Sequence, residues 1–495
     1  MLSAVEQSRL RVSKTTDAKR KSQLGQFLTP ARTAQFMAGL FRQTTRANCR
    51  LLDAGAGIGS LTAAFLERWA SGGFNFLRVE ADAFEIDECL HPYLTQTLEE
   101  YKQHLNVVST VQGDDFVEVA ARSLHGNLFA KALPKYTHAI LNPPYKKIRS
   151  NSTHRAALRR VGIETVNMYS AFVALSLSLL DDCGQLVAII PRSFCNGPYY
   201  RPFREFVLER AAIRHMHLFD SRNRTFKEDG VLQENIIIMI ERGGHQGDVT
   251  VSTSTDDGFA DLVTHTHPFD RIVSPDNPER FIHVPISTEM NAIELSEVVR
   301  YSLADIGIMV STGPVVDFRL KDHLRDMPEP GTVPLLYPGH FSRERIVWPK
   351  TGMKKPNVIH RNAETERWLY PTGYYCVVRR FSSKEENRRI VASVVQTGDF
   401  AGAEMLGFEN HLNVFHVGKR GLPEALAHGL AVFLNTTAVD ENFRRFNGHT
   451  QVNATDLKLM RYPSREALIT LGEWAMNCCE RTQAMTDKKL EGLTT

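Results

Sequence analysis

The sequence predicts an α/β protein, with a doubly wound, mostly parallel sheet in its N-terminal half and a separate α+β region after it. Three observations carry this. Short apolar runs alternate with helical patterns between residues 50 and 240, which is the pattern of a sheet covered by helices. The first run ends in Asp53-Ala54-Gly55-Ala56-Gly57-Ile58-Gly59 before a helix, the strand–turn–helix unit that opens such folds. Beyond Gly243-Gly244 the chain turns Ser/Thr/Asp-rich as far as Gly258, a composition break that marks a boundary. At 495 residues two or three domains are expected. The divisions are an arm over 1–22, an α/β domain over 23–245, a linker or extension over 246–300, and a second domain over 301–495.

Residues 1–22 form a helix or a loose arm rich in Arg and Lys. Gly25-Gln26-Phe27-Leu28-Thr29-Pro30 follows, where Thr29 as N-cap and Pro30 at the first helical position would start a helix. Capping gives no reason for Gly25-Gln26-Phe27. After Asp53 and its glycines a helix is expected over 60–69. The loop order is D-x-G-x-G-x-G rather than the phosphate-binding G-x-G-x-x-G, so a ligand without a pyrophosphate fits better. A second strand, 77–84, delivers Glu85 and Asp87; an acidic residue there is placed for ribose hydroxyls, with Asp87 also open to a capping role. A third strand, 105–111, leads to Asp114-Asp115-Phe116. There a carboxylate, Asp115 ahead of Asp114, could accept from an adenine amino group or could cap the next helix.

The fourth strand, 137–141, ends in Asn142-Pro143-Pro144-Tyr145. Two prolines lock φ and remove two backbone donors, so the strand stops and the corner is stiff. The Asn142 side-chain oxygen and the Pro143 carbonyl can accept the two hydrogens of an exocyclic amine while Tyr145 stacks on its ring. A basic loop follows, with Lys146, Lys147, Arg149, His154, Arg155, Arg159 and Arg160. A buried helix over 169–180, a strand over 184–190 closed by Pro191-Arg192-Ser193-Phe194, a helix over 202–210, and strands over 213–219 and 235–240 complete the domain. The last two strands are expected as an antiparallel hairpin. The second domain carries Val310 to Gly313, strands near 333–337, 374–380 and 410–417, helices over 423–435 and 465–482, and arginines beside Phe381, Phe443 and Phe446.

Composition narrows the function. Hydrophobic content of 42% and net charge of +3 describe a globular chain that is not strongly basic, so a nucleic-acid surface must be local. Seven scattered cysteines without metal spacing suit reduced thiols. No signal core or long apolar run is present, and a cytoplasmic location is expected.

Taken together and in order, Gly-Gln-Phe-Leu-Thr-Pro, Asp-Ala-Gly-Ala-Gly-Ile-Gly, Phe-Glu-Ile-Asp, Asp-Asp-Phe, Asn-Pro-Pro-Tyr and Ile-Pro-Arg-Ser-Phe resemble the γ-class DNA adenine-N6 methyltransferases of type II restriction–modification systems. The catalytic part is similar to the TaqI type and, at this length, the chain is similar to the PstI/BsuBI type. The motifs cover residues 23–242; residues 300–465 match only loosely, as a target-recognition domain. The resemblance implies a Rossmann-like, seven-stranded methyltransferase sheet and S-adenosylmethionine as methyl donor. Thr29 would sit near the donor's methionine end, Asp53, Gly55 and Gly57 would form its loop, Glu85 would hold the ribose, and Asp115 and Phe116 would surround the adenine. Asn142, Pro143, Pro144 and Tyr145 would take a flipped base, with Phe226 packing on its other face. The implied partners are double-stranded DNA and a separate restriction endonuclease, with the protein a monomer and no metal or membrane involved. Rival readings are a protein-glutamine methyltransferase, which leaves the C-terminal domain without a role, a catalytically dead DNA-specificity protein, and cytosine-N4 methylation.

Overall fold

The computed structural model describes all residues except 16–26, 127–131, 220–233, 276, 289–292, 294–295, 343–344, 383–385, 401, 448–450, 479 and 495. The chain divides into two compact units, Met1–Thr288 and Glu289–Thr495.

The first unit is built on a sheet of strands β1 (Asn48–Ala54), β2 (Arg78–Phe84), β3 (Val107–Gln112), β4 (Tyr136–Leu141), β5 (Leu180–Pro191), β6 (Ala211–Phe219), β7 (Asn235–Arg242), β8 (Val249–Ser254) and β9 (Val263–His267). Their order is β3-β2-β1-β4-β5-β7-β6-β8-β9. The first five strands are parallel neighbours, and β7 runs antiparallel to both β5 and β6. β4 is buried along its whole length, as a central parallel strand covered on both faces must be. Helices over Ser60–Ala70, His91–Lys102, Phe116–His125 and Met168–Leu179 follow the strands at the expected places.

Register decides where the site can form. β1 pairs β2 with Asp53 opposite Ala83, β1 pairs β4 with Leu52 opposite Ala139, and β2 pairs β3 with Phe84 opposite Gln112. The residues that follow β1, β2, β3 and β4 therefore emerge on one carboxyl edge, where open α/β sheets bind ligands.

The structure corrects three expectations. The sheet has nine strands rather than seven, because β8 pairs parallel to β6 and β9 antiparallel to β8; residues 249–267 belong to the sheet, not to a linker. Their polar alternation hides this, since the Ser252 hydroxyl is buried against His217 Nδ1 at 2.9 Å instead of facing water. Of the two readings of the N-terminal stretch the helix holds: residues 2–15 are helical, with Leu2, Val5 and Val12 buried. Pro30, not Thr29, occupies the N-cap of the helix Ala31–Gly39, with no side-chain cap from that residue. The cap comes from elsewhere: Ala31 N donates to Glu6 Oε2 at 2.9 Å, which frees Thr29 for another partner.

The second unit contains a four-stranded antiparallel sheet (Met309–Thr312, Leu412–His416, Tyr375–Arg379 and Ala392–Val395, in that order) and a five-stranded sheet that includes Thr332–Leu336 and Met405–Phe408. The helices Glu424–Leu434 and Arg465–Met476 cross where each carries a glycine. A Cβ on Gly429 would lie 1.7 Å from Leu468 O, and one on Gly472 1.6 Å from Ala425 O.

Candidate active site

A cavity of about 200 Å³ opens at the carboxyl edge of the first unit's sheet. Thr29, Gly55, Gly57, Glu85, Asp115, Phe116, Asn142 and Pro144 line it, so the predicted residues converge from five separate stretches of the chain. The glycine turn gives the cavity its floor. Gly55, Gly57 and Gly59 have φ of 82°, 59° and 88°, a region that L-residues with a Cβ rarely adopt. A Cβ on Gly57 would also come within 2.9 Å of Leu28 Cδ2, so the backbone here is the wall.

Glu85 pins that wall. Its Oε2 accepts from Gly57 N at 2.8 Å and its Oε1 from Asp87 N at 2.7 Å, while burial pushes its pKa up. Asp53 is buried behind the turn rather than lining the cavity. Thr62 Oγ1 donates to its Oδ2 at 2.6 Å, and its Oδ1 has no donor among the described residues. Burial raises its pKa from 3.8 to about 7, against the lowering effect of the Thr62 hydrogen bond. A glycine cradle, a buried carboxylate beside it and an unmet acceptor below suit a neutral-bodied nucleoside carrying a cationic end better than a phosphate.

Asp115 has both roles that the residues allowed. Its Oδ1 caps the helix Phe116–His125 through Val117 N and Glu118 N. Its Oδ2 faces His154 Nε2 at 2.9 Å, which raises the imidazole pKa. Asp114 lines the same cavity. Phe116 packs on Phe84 and Phe172, ring centroids 5.2 and 5.0 Å apart.

At the reactive corner, Asn142 Nδ2 donates to Phe27 O at 2.8 Å and to Thr29 Oγ1 at 2.9 Å. Both amide hydrogens are thereby used within the chain, which assigns the oxygen to the other side. Among the described residues that oxygen meets only the Tyr145 hydroxyl, at 3.3 Å, which also points at Ile189 O at 3.2 Å. Phe27 packs against the Tyr145 ring at 5.4 Å. These contacts supply a reason for Phe27 that capping left open, since Phe27 and Thr29 orient the amide; Gly25 and Gln26 lie outside the described residues. The Gly55 Cβ position lies 3.7 Å from Asn142 O, so glycine turn and corner share one wall. Tyr145 and Pro143 sit beside the cavity rather than in its lining. Phe226 lies outside the described residues.

Sequence reasoning missed several lining residues. Phe27, Leu28, Ile86, Met168 and Phe172 look like ordinary core in sequence. Two signals were there to use: Phe27 and Leu28 lie in a stretch that capping does not explain, and Ile86 is an isoleucine set between two acids. His154 was noted only as part of a basic loop.

A glycine-floored cavity at this sheet edge, with an Asn-Pro-Pro-Tyr corner, defines an S-adenosylmethionine-dependent methyltransferase of the Rossmann-like class. The chain matches the family model for the Eco57I restriction-modification methylase over residues 84–226. It is 53% identical to the type II methyltransferase M.BsuBI of Bacillus subtilis, across 100% of this chain and 98% of that one. Identity to the type II methyltransferase M.PstI of Providencia stuartii is 42%, across 94% of this chain and 92% of that one. The chain belongs to the type II methyltransferases of restriction–modification systems. Among solved structures, a DrdV–DNA complex shares the fold at TM-score 0.50 and 12% identity, over 96% of this chain and 59% of that one.

Proposed function

We propose that the enzyme methylates adenine N6 within a specific duplex DNA sequence, and that it protects that sequence from a partner restriction endonuclease. The observation that carries the reading is the orientation of Asn142, whose oxygen is the group left to meet an incoming amine. Bound S-adenosylmethionine supplies an electrophilic methyl group.

The protein's own part is positional. A stacked adenine cannot reach the cavity, so the base leaves the duplex, at a cost of a few kcal/mol. Asn142 Oδ1 and the Pro143 carbonyl accept its two N6 hydrogens and turn the nitrogen lone pair toward the methyl group. Tyr145 and Phe226 flank the ring, and Pro144 keeps the corner stiff. Thr29 holds the amide, Gly55 and Gly57 let the backbone approach the donor, and Asp53 underpins their turn. Glu85 would hold the ribose hydroxyls of the bound donor, and Asp115 and Phe116 would flank its adenine. Positioning and fixed dipoles account for most of the rate, without a covalent enzyme intermediate. Residues 301–495 read the sequence.

Incubation of the protein and a methyl-labelled donor with duplex DNA, followed by mass spectrometry of the nucleosides, tests this. N6-methyladenine at one mapped sequence is expected. N4-methylcytosine, label in a release-factor glutamine, or DNA binding without label would each overturn it.

A further inference from the structure

In the second unit three loops are stitched together by backbone hydrogen bonds: Asn410 N donates to Val315 O at 2.9 Å, and Arg380 N donates to His411 O at 2.8 Å. On this platform Phe318 and Phe381 stand 64% and 40% exposed. Among the described residues of the unit, they are the aromatic side chains that face water most openly. The fold gains nothing by displaying them, since an aromatic ring contributes to stability when it is buried.

Each ring has a cation beside it. The guanidinium carbon of Arg319 lies 5.5 Å from the Phe318 ring centroid, and that of Arg380 lies 5.7 Å from the Phe381 centroid. His411 packs on Phe381 at 4.9 Å. Two of the carboxylates close by are already answered. Asp317 is paired with Lys355 at 2.6 Å, and the buried Glu409 with the His411 imidazole at 2.6 Å. Neither arginine has a carboxylate partner among the described residues. What the platform offers to a partner is therefore flat apolar faces flanked by positive charge.

That combination matches a duplex nucleic acid, in which stacked bases lie between two lines of phosphates. We propose that this platform is a DNA-reading surface, with Phe318 and Phe381 contacting bases at a groove and Arg319 and Arg380 seated on the adjoining phosphates. The proposal rests on the duplex-DNA reading above and adds the residues that make contact. Rings held on hydrogen-bonded loops lose little freedom on binding, and apolar wedges of this kind act on base steps. Arginines on phosphate fix register without reading sequence.

The test uses the full-length enzyme and the variants Phe318→Ala, Phe381→Ala, the double alanine variant, Phe318→Trp and Arg319→Ala. Methyl incorporation is measured on a duplex carrying the mapped site and on one with a single base pair changed; S-adenosylhomocysteine binding and thermal melting report folding. Each phenylalanine-to-alanine variant should raise the KM for cognate DNA about tenfold and reduce discrimination against the altered duplex, with S-adenosylhomocysteine affinity unchanged. Phe318→Trp should stay near wild type. Arg319→Ala should weaken binding to both duplexes alike and reduce the salt slope by about one. If the double alanine variant keeps wild-type KM and discrimination while the wild type methylates DNA, this surface is wrong and the substrate assignment stands. If the wild type transfers no methyl group to any DNA, the substrate assignment falls and takes this surface with it.

Discussion

The Asn142 side chain shows how much one residue depends on those that hold it. Its hydrogens go to Phe27 O and Thr29 Oγ1, so Asn142→Ala should lower kcat roughly a hundredfold or more with S-adenosylhomocysteine binding intact; equilibrium dialysis beside turnover would check it. Thr29→Val removes one acceptor and leaves one of the two buried Asn142 N–H groups without its partner. It should lower kcat by about tenfold, equivalent to ~1.4 kcal/mol of barrier, and move the KM for either substrate little. Asp53 makes a pH-dependent prediction. Its folded pKa of about 7 stands above the ordinary 3.8. The folded chain therefore keeps a proton that the unfolded chain releases as pH rises from about 4 to about 7. Stability from this group is complete below that window and is lost through it. Melting of the donor-free protein at pH 5 and pH 8 should show a smaller drop for Asp53→Asn, whose amide oxygen can still accept from Thr62.

Helices and strands carry the next layer. The helix Ala31–Gly39 starts without a side-chain cap of its own and takes Glu6 from the N-terminal helix instead. Glu6→Ala should cost about 1 kcal/mol, visible as a Tm lowered by a few degrees. The crossing of Glu424–Leu434 over Arg465–Met476 leaves no room at Gly429 or Gly472. Gly429→Ala should then destabilise the second unit by on the order of 3 kcal/mol, read by urea denaturation. Such contacts were not legible in advance. A glycine in an apolar helix looks like a mild defect until its partner helix is known, and Thr29-Pro30 looks like a helix start because local rules cannot see Glu6 arriving from twenty-five residues away.

At the scale of the molecule, the sheet and its loaded edge were readable because each strand ends in chemistry of its own. Asp53 with its glycines, Glu85, Asp115 and Asn142 each close an apolar run, and parallel order then gathers them on one edge. The strands β8 and β9 were not readable, because Ser252 and Ser254 spend their hydroxyls on His217 inside the sheet where a hydrophobic stripe would be expected. His154 escaped for a related reason: a histidine in a basic run reads as surface, and only the fold brings it to Asp115. The anchored amide has a last implication. With its own hydrogens spent, the corner can welcome only a guest that arrives with hydrogens to give. On the proposed reading an unmodified adenine would bring two, one for each oxygen acceptor of the pocket, whereas the singly methylated product would retain one. The product would then be a poorer guest than the substrate, and a catalyst built this way would stop after one round on each base.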